Sequence, residues 1–352
     1  MQIVACNFFN QEKIMRLSTA TNIIKASCLD QWSAHGGQYV TCYLEGSAGG
    51  GKTSAVRQVA DELDAVFIDQ RLTDRDFTEV SGWRIPNADN SAMIHLTPDW
   101  FDFDPAKKYV LFFDELPQAP VTNQNIAAQI INERSLGGHV LPDNVAIVCA
   151  GNPAKDRSGT NTMPTHLRDR LTWLQIESDL EDVVGYFAAN NRDPLVIGYL
   201  RARPDNLHKF DRDAKACPSP RSWDKVSTLL GFDLPEGAFQ HALFGTVGDG
   251  VGADFLAYKK LTTKAPAIKD IIADPDGTKL PEESDVLYAL CAGISASIKP
   301  DNATPLCTYL DRISQKEMVA FVMRDALKRD PDLKQANAVR EWALNGGVDL
   351  LN

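Results

Sequence analysis

The feature that most constrains this chain is the octapeptide Gly46-Ser47-Ala48-Gly49-Gly50-Gly51-Lys52-Thr53. It matches G-x-x-x-x-G-K-[ST] in full. Glycines at these positions let successive backbone N–H groups curl around phosphate oxygens, the lysine reaches the β- and γ-phosphates, and the hydroxyl of Thr53 ligates Mg²⁺. Ser54 follows at the start of the expected helix, whose positive dipole end favours the same anion. The context agrees with the motif. An apolar β-type run, Val40 to Leu44, precedes the loop, and Val56, Val59, Ala60 and Leu63 recur after it at helical spacing. A strand, a phosphate loop and a helix in this order predict nucleotide binding in a parallel α/β layer.

The next runs extend that layer. Ala65 to Asp69, Tyr109 to Phe113, Val145 to Ala150 and Leu171 to Glu177 are short and apolar, as strands buried on both faces are. A helix is expected from about Asn123 to Arg134, with Ile126, Ile130 and Ile131 inward and its end near Gly137 and Gly138. Beyond residue 180 helical patterns dominate, as in Asp285 to Ile298 and in Lys316 to Lys328, where Met318, Phe321, Val322 and Ala326 form one stripe. The expected fold class is therefore an α/β P-loop core with a parallel sheet flanked by helices, followed by an all-helical region. A boundary is expected near 178 to 182, giving a core over 1–180 with an N-terminal helical lead-in, and a helical part over 181–352. The chain's 352 residues suit about two domains. Arg203 to Ser219 and Asp274 to Gly277 read as loops.

Composition narrows the function classes. With 36 Lys+Arg against 47 Asp+Glu the net charge is −11, which disfavours broad phosphate-backbone binding to nucleic acid. No apolar run approaches the roughly 18 residues of a membrane helix, and Met1 to Asn10 lacks the pattern of a secretory signal. The seven cysteines, Cys6 to Cys307, never form C-x-x-C and read as reduced thiols of a cytosol. The six histidines show no zinc-ligand spacing.

Candidate chemistry gathers at strand ends. Val110 to Phe113 runs into Asp114 and Glu115. Such a pair alone is often a solvated turn or helix cap. Behind a phosphate loop, Asp114 is placed to organise Mg²⁺ and Glu115 to polarise the attacking water. Asn152 follows the run Val145 to Ala150; its two-sided amide is suited to meet a γ-phosphate and a water, although Asn before Pro is also an ordinary turn. Charge still develops on the phosphate in the transition state, and a guanidinium from a neighbouring subunit can stabilise it. Arg170 is the first choice and Arg168 the second, the alternative being arginines paired with Asp169. Arg221, in the first turn of a capped helix beginning at Ser219, opposes the helix dipole, so reaching back to phosphate gives it a reason to be there.

With these residues in hand, the chain resembles the MoxR family of AAA+ ATPases, in its phage and bacterial relatives. The resemblance rests on Gly46 to Thr53 (Walker A), Leu111 to Glu115 (Walker B), Asn152 (sensor 1), Arg170 (arginine finger) and Arg221 (sensor 2), in the family's order. It implies ATP and Mg²⁺ as cofactors, a homohexameric ring, a helical lid over the nucleotide, and mechanical work on a protein client that often carries a von Willebrand factor A domain. The compartment implied is a bacterial or phage-infected host cytosol. Two insertions are also implied, one between Ser81 and Trp100 inside the second helix region, the other a hairpin around Ser135 to Pro142. The aromatic-glycine loop with which protein-threading relatives grip a polypeptide is missing; Trp83, after Gly82, is the one candidate for such a pore contact, and it reads first as a partly buried anchor for the first insertion. Two other functions use this kind of core: a motor acting on nucleic acid, and a nucleotide-dependent scaffold with slow hydrolysis.

Overall fold

The computed structural model describes residues 14–33, 39–156, 161–211, 213–345 and 347; Cys6 and the segment Met1 to Asn10 lie outside them. The chain forms two compact units, the first ending at Glu177 and the second beginning at Ser178.

The first unit is built on a six-stranded, all-parallel sheet. Its strands are β1 (Ile14–Arg16), β2 (Thr41–Glu45), β3 (Ala65–Arg71), β6 (Lys108–Asp114), β9 (Val145–Gly151) and β10 (Leu171–Glu177), in the spatial order β1-β10-β2-β9-β6-β3. Two antiparallel hairpins stand apart from it, β4 (Trp83–Pro86) with β5 (Met93–Leu96), and β7 (Ser135–Leu136) with β8 (His139–Val140). The helices are α1 (Leu17–Gln31), α2 (Lys52–Glu62), α3 (Phe77–Ser81), α4 (Val121–Glu133) and α5 (Thr165–Arg168).

Strand alternation sorts the core into two layers. Val110 and Phe112 of β6, with Ala146 and Val148 of β9, pack against Ala20, Ile24 and Cys28 of α1 and Val56, Val59 and Ala60 of α2. Leu111, Phe113, Ile147 and Cys149 point the other way, onto Ile126, Ala127 and Ile130 of α4. Both faces of β6 and β9 are covered, so these strands read as unbroken apolar runs.

The structure revises several expectations. β1 is three residues long, too short to leave a pattern, and its one strand partner among the described residues is β10. Helix α4 ends at Glu133 and not near Gly137 and Gly138, because Arg134 leaves it in the left-handed region at φ 48°. The Arg134 side chain is buried there and donates to the carbonyls of Pro142 and Val145. Gly137 and Gly138, at φ 57° and 93°, instead make the two-residue turn between β7 and β8. The segment after Ser81 does not continue a helix. Asp76 and Glu79 form a capping box for the one-turn α3, which stops at Gly82, and the chain then folds into β4 and β5. Trp83 is 61% exposed, so it does not anchor this insertion. The buried Trp100 does, its Nε1 donating to the Glu79 carbonyl.

The second unit has no strand among the described residues. It comprises α6 (Leu180–Ala189), α7 (Pro194–Ala202), α8 (Pro220–Leu230), α9 (Glu236–Val247), α10 (Asp249–Thr262), α11 (Ile268–Ala273), α12 (Ser284–Ser297), α13 (Ala303–Asp311), α14 (Lys316–Arg329) and α15 (Asn337–Leu344). The stripe of Met318, Phe321, Val322 and Ala326 is buried. The loop between α7 and α8 contains one 3₁₀ turn, Pro204–Asn206. An ionic cluster crosses α6, α7 and α14: Arg201, its side chain 4% exposed, donates to Glu181 at 2.8 Å and to Asp325 at 2.9 Å, and Arg324 reaches Glu181 at 2.9 Å.

Candidate nucleotide site

The sheet order assembles the site. Along the chain the relevant strands are β2, β6 and β9, but in space β9 lies between β2 and β6. Their carboxyl ends therefore bring the glycine-rich loop, Asn152 and the Asp114-Glu115 pair to one edge of the sheet, where ligands of open α/β sheets bind.

The loop leaves β2 at Gly46, whose N–H donates to the Gly151 carbonyl at the end of β9. Gly49 and Gly51 sit at φ 78° and 87°, a region closed to most side chains, and Gly51 occupies the N-cap of α2. Lys52, only 8% exposed, folds back beneath the loop. Its Nζ donates to the carbonyl oxygens of Gly46 at 2.6 Å and Ser47 at 3.1 Å, and to Oδ1 of Asn152 at 2.9 Å. Ala48 and Gly50 complete the turn, with Gly50 N–H closing onto the Ser47 carbonyl, and Ser54 lies in the first turn of α2. The ammonium thus has direct contact with the strand end that carries Asn152.

Sixty-one residues separate Thr53 from Asp114, yet the Thr53 hydroxyl donates to Oδ2 of Asp114 at 2.7 Å. Asp114 is 5% exposed, and its Oδ1 accepts the backbone N–H of Glu115 at 2.9 Å. Mg²⁺ takes oxygen ligands, usually one or two carboxylates together with substrate phosphates. A hydroxyl and a carboxylate oxygen in contact fit that ion. Among the described residues no group of three or more His, Cys, Asp or Glu could hold a metal unaided, so an ion here would also need phosphate oxygens.

Glu115 has φ 54° and ψ 31°, left-handed backbone at a non-glycine residue. Such a conformation costs about 1–2 kcal/mol and persists where neighbours over-determine it. The following turn supplies those neighbours. The Gln124 side chain, fully buried on α4, donates to the carbonyls of Pro117 and Ala119, and Asn161 donates to the same two, by its backbone and side chain respectively. Asn123, also buried, ties α4 to the carbonyls of Leu72 and Arg75 after β3.

No family model matches the chain, and no curated protein matches it. Among solved structures the chain is similar to NtrX from Brucella abortus at 14% identity, over 85% of this chain and 64% of that one, with a TM-score of 0.37. It is similar to a lysine-to-arginine mutant of Thermotoga maritima RuvB at 12% identity, over 79% and 88% of the two chains, with a TM-score of 0.39. A third likeness is to Hsp104 in a closed state with ATPγS and FITC casein, at 14% identity, over 70% and 46%, with a TM-score of 0.38. The chain thus spans less than two thirds of the NtrX and Hsp104 chains. Likenesses this loose identify no family, and the site's own geometry carries the functional reading.

Arg168 and Arg170 share no hydrogen bond with these site residues. Arg170 is half-buried after α5 and donates to the His166 carbonyl, while exposed Arg168 is 3.5 Å from the Thr165 hydroxyl. Neither forms an ion pair with Asp169, so that alternative fails. Arg221 belongs to the second unit and is exposed in the first turn of α8. Ser219 and Ser222 form the capping box there, and Trp223, fully buried, donates to the Asn206 carbonyl, which fixes the turn that carries Arg221.

Sequence reasoning missed Asp69. It sits near the end of β3, beside β6, with Oδ1 buried and without a partner. Burial raises its pKa, Arg71 lowers it, and the nearby Asp114 carboxylate raises it again. An acid directly after the apolar stretch Ala65 to Ile68, two positions before the strand's last residue, was the available signal. The buried amides Asn123 and Gln124 carried none, because amides at a helix start are usually solvent-facing. Among the described residues no helix is long and apolar enough to cross a membrane.

Proposed function

We propose that the chain is a Mg²⁺-dependent ATP hydrolase of the AAA+ type, MoxR-like, that works as a homohexameric ring and couples hydrolysis to remodelling or assembly of a partner protein. The observation that carries the reading is the 2.7 Å contact of Thr53 with Asp114 beside the ammonium of Lys52. It joins a phosphate cradle to a cation-binding acid.

In this reading Gly46 to Ser54 hold the phosphates through backbone N–H groups and the start of α2. Lys52 exchanges its carbonyl partners for phosphate oxygens. Thr53 and Asp114 would hold Mg²⁺, which would supply neutralisation of phosphate charge. The Glu115 carboxylate, aimed by its unusual backbone, orients the attacking water and takes its proton. Asn152 sits against Lys52 and reports the γ-phosphate to the rest of β9. Arg170 serves a neighbour's site, and Arg221 reads the phosphates from the helical lid, in a core over 1–180 and a helical region over 181–352. The client is a protein, of the kind that carries a von Willebrand factor A domain, and the cytosol is the compartment.

The test is phosphate release with and without Mg²⁺, alongside calorimetric ATP binding. Glu115→Gln should bind ATP as the parent does and lose turnover by at least about 100-fold. Turnover at the parent rate would remove Glu115 from the mechanism.

A further inference from the structure

We propose that the outward face of the β4–β5 hairpin is a docking surface for a polypeptide segment whose apolar residues are flanked by Lys or Arg. The inference does not depend on the nucleotide reading. In the hairpin register Trp83 lies opposite Leu96 and Ile85 opposite Ile94. Directly paired residues share a face, so these four side chains form one apolar surface. They are 61%, 48%, 39% and 47% exposed. Large apolar side chains exposed singly are ordinary, whereas a contiguous group of them marks an interaction surface.

The hairpin is fastened through its other face and its base, while its apolar side borders an open cavity shared with α3. An isolated two-stranded ribbon is only marginally stable in water, so something must back it. His95, on the opposite face, lends a ring nitrogen to the Ser81 carbonyl at 2.6 Å. Gly137 of the second hairpin packs directly on the His95 ring, and the His139 ring nitrogen meets the His95 carbonyl at 3.1 Å. At the base, Gly82 approaches the Leu96 carbonyl so closely that no Cβ would fit. Trp100 pins the returning chain to α3. A surface held in advance loses little conformational entropy when a partner binds.

Charge selects the partner. Residues 74 to 104 carry seven Asp or Glu against two Arg and no Lys, a net of −5 within a chain of −11. Asp74, Glu79 and Asp99, with Arg75, line an open cavity of about 830 Å³ that continues from Trp83, Ile85 and Leu96. A net acidic rim along one side of an apolar face repels phosphate, whether of nucleic acid or of anionic lipid, and attracts ammonium and guanidinium groups. It also opposes a symmetric contact between two copies, which would bring two such rims together. A cationic, apolar stretch of another polypeptide satisfies both features.

The experiment uses the full chain without nucleotide and three fluorescein-labelled probes: a short Leu/Lys peptide, a matched Leu/Glu peptide and a single-stranded oligodeoxynucleotide. Anisotropy should show binding of the Leu/Lys peptide alone. Trp83→Ser with Leu96→Ser should weaken it about tenfold or more, with circular dichroism unchanged because both side chains are exposed. Asp74→Lys with Asp99→Lys should reverse the preference towards the Leu/Glu peptide, which simple stickiness would not do. Equal binding of both peptides by the parent would overturn the proposal, as would parent-like binding by the serine variant or by the charge-reversed one. Oligonucleotide binding that the serine variant loses would assign the face to nucleic acid and overturn it equally.

Discussion

Replacing Lys52 by alanine tests the site at its centre, and the structure sets the expected size. Removing one partner of a desolvated, hydrogen-bonded charge pair costs about 2–5 kcal/mol. In the ligand-free chain the Lys52 ammonium is not idle. It already holds the carbonyls of Gly46 and Ser47 and the amide oxygen of Asn152. Part of its interaction energy is therefore present before phosphate arrives, and only the difference appears as affinity. The lower part of the range, about 2–3 kcal/mol, is expected, which is a loss of roughly 30- to 150-fold in Kd. Calorimetric titration with a slowly hydrolysed ATP analogue and Mg²⁺ measures it. Asn152→Ala supplies the internal comparison: freeing Lys52 from one acceptor should leave the Kd equal or tighter while turnover falls. A Lys52→Ala protein that is folded by circular dichroism and binds within threefold of the parent would refute the assignment of this ammonium to phosphate.

Two further outcomes follow from named contacts. Arg170 is proposed to serve a neighbour's site, and among the described residues its side chain donates to the His166 carbonyl; specific activity should then rise with protein concentration, and mixing Arg170→Ala with Lys52→Ala chains should recover part of the activity that each has lost, whereas a dilute monomer hydrolysing at full rate would exclude action across subunits. In the helical unit, burial pushes the Glu181 pKa up, but donation and charge from Arg201, with Arg324 and Lys328, more than offset it and hold the carboxyl below its ordinary value. A carboxylate with a lowered folded-state pKa contributes stability that is present above its ordinary pKa and is lost as pH falls through the lowered one. Glu181→Gln should therefore flatten the acid limb of a thermal-stability profile below about pH 4.5, and an unchanged limb would show that the cluster does not contribute there.

The sequence by itself determined what is local and periodic. A glycine-rich octapeptide between an apolar run and an amphipathic stretch is enough to specify strand, loop and helix, since phosphate chemistry and backbone sterics admit few other residues there. The central strands β2, β6 and β9 were legible for a related reason, since burial on both faces leaves apolar side chains at nearly every position, whereas β3 and β10 are partly exposed and were legible from shorter apolar stretches. The helical character beyond residue 180 was legible from its period alone. Short elements were not. β1 exists because β10 offers it a partner, and the β4–β5 hairpin exists because α3 stops at Gly82 and His95 locks the returning strand onto Ser81. Neither leaves more than a few residues of pattern. The tertiary structure alone decided that β9 lies between β2 and β6, so that Asn152 meets Lys52 across 100 positions of sequence and Thr53 meets Asp114 across 61. It alone turned Trp83 outward. Strand order and side-chain exposure depend on which surfaces remain after every other surface has been covered, and that is a property of the whole packing, written in no single stretch of the chain.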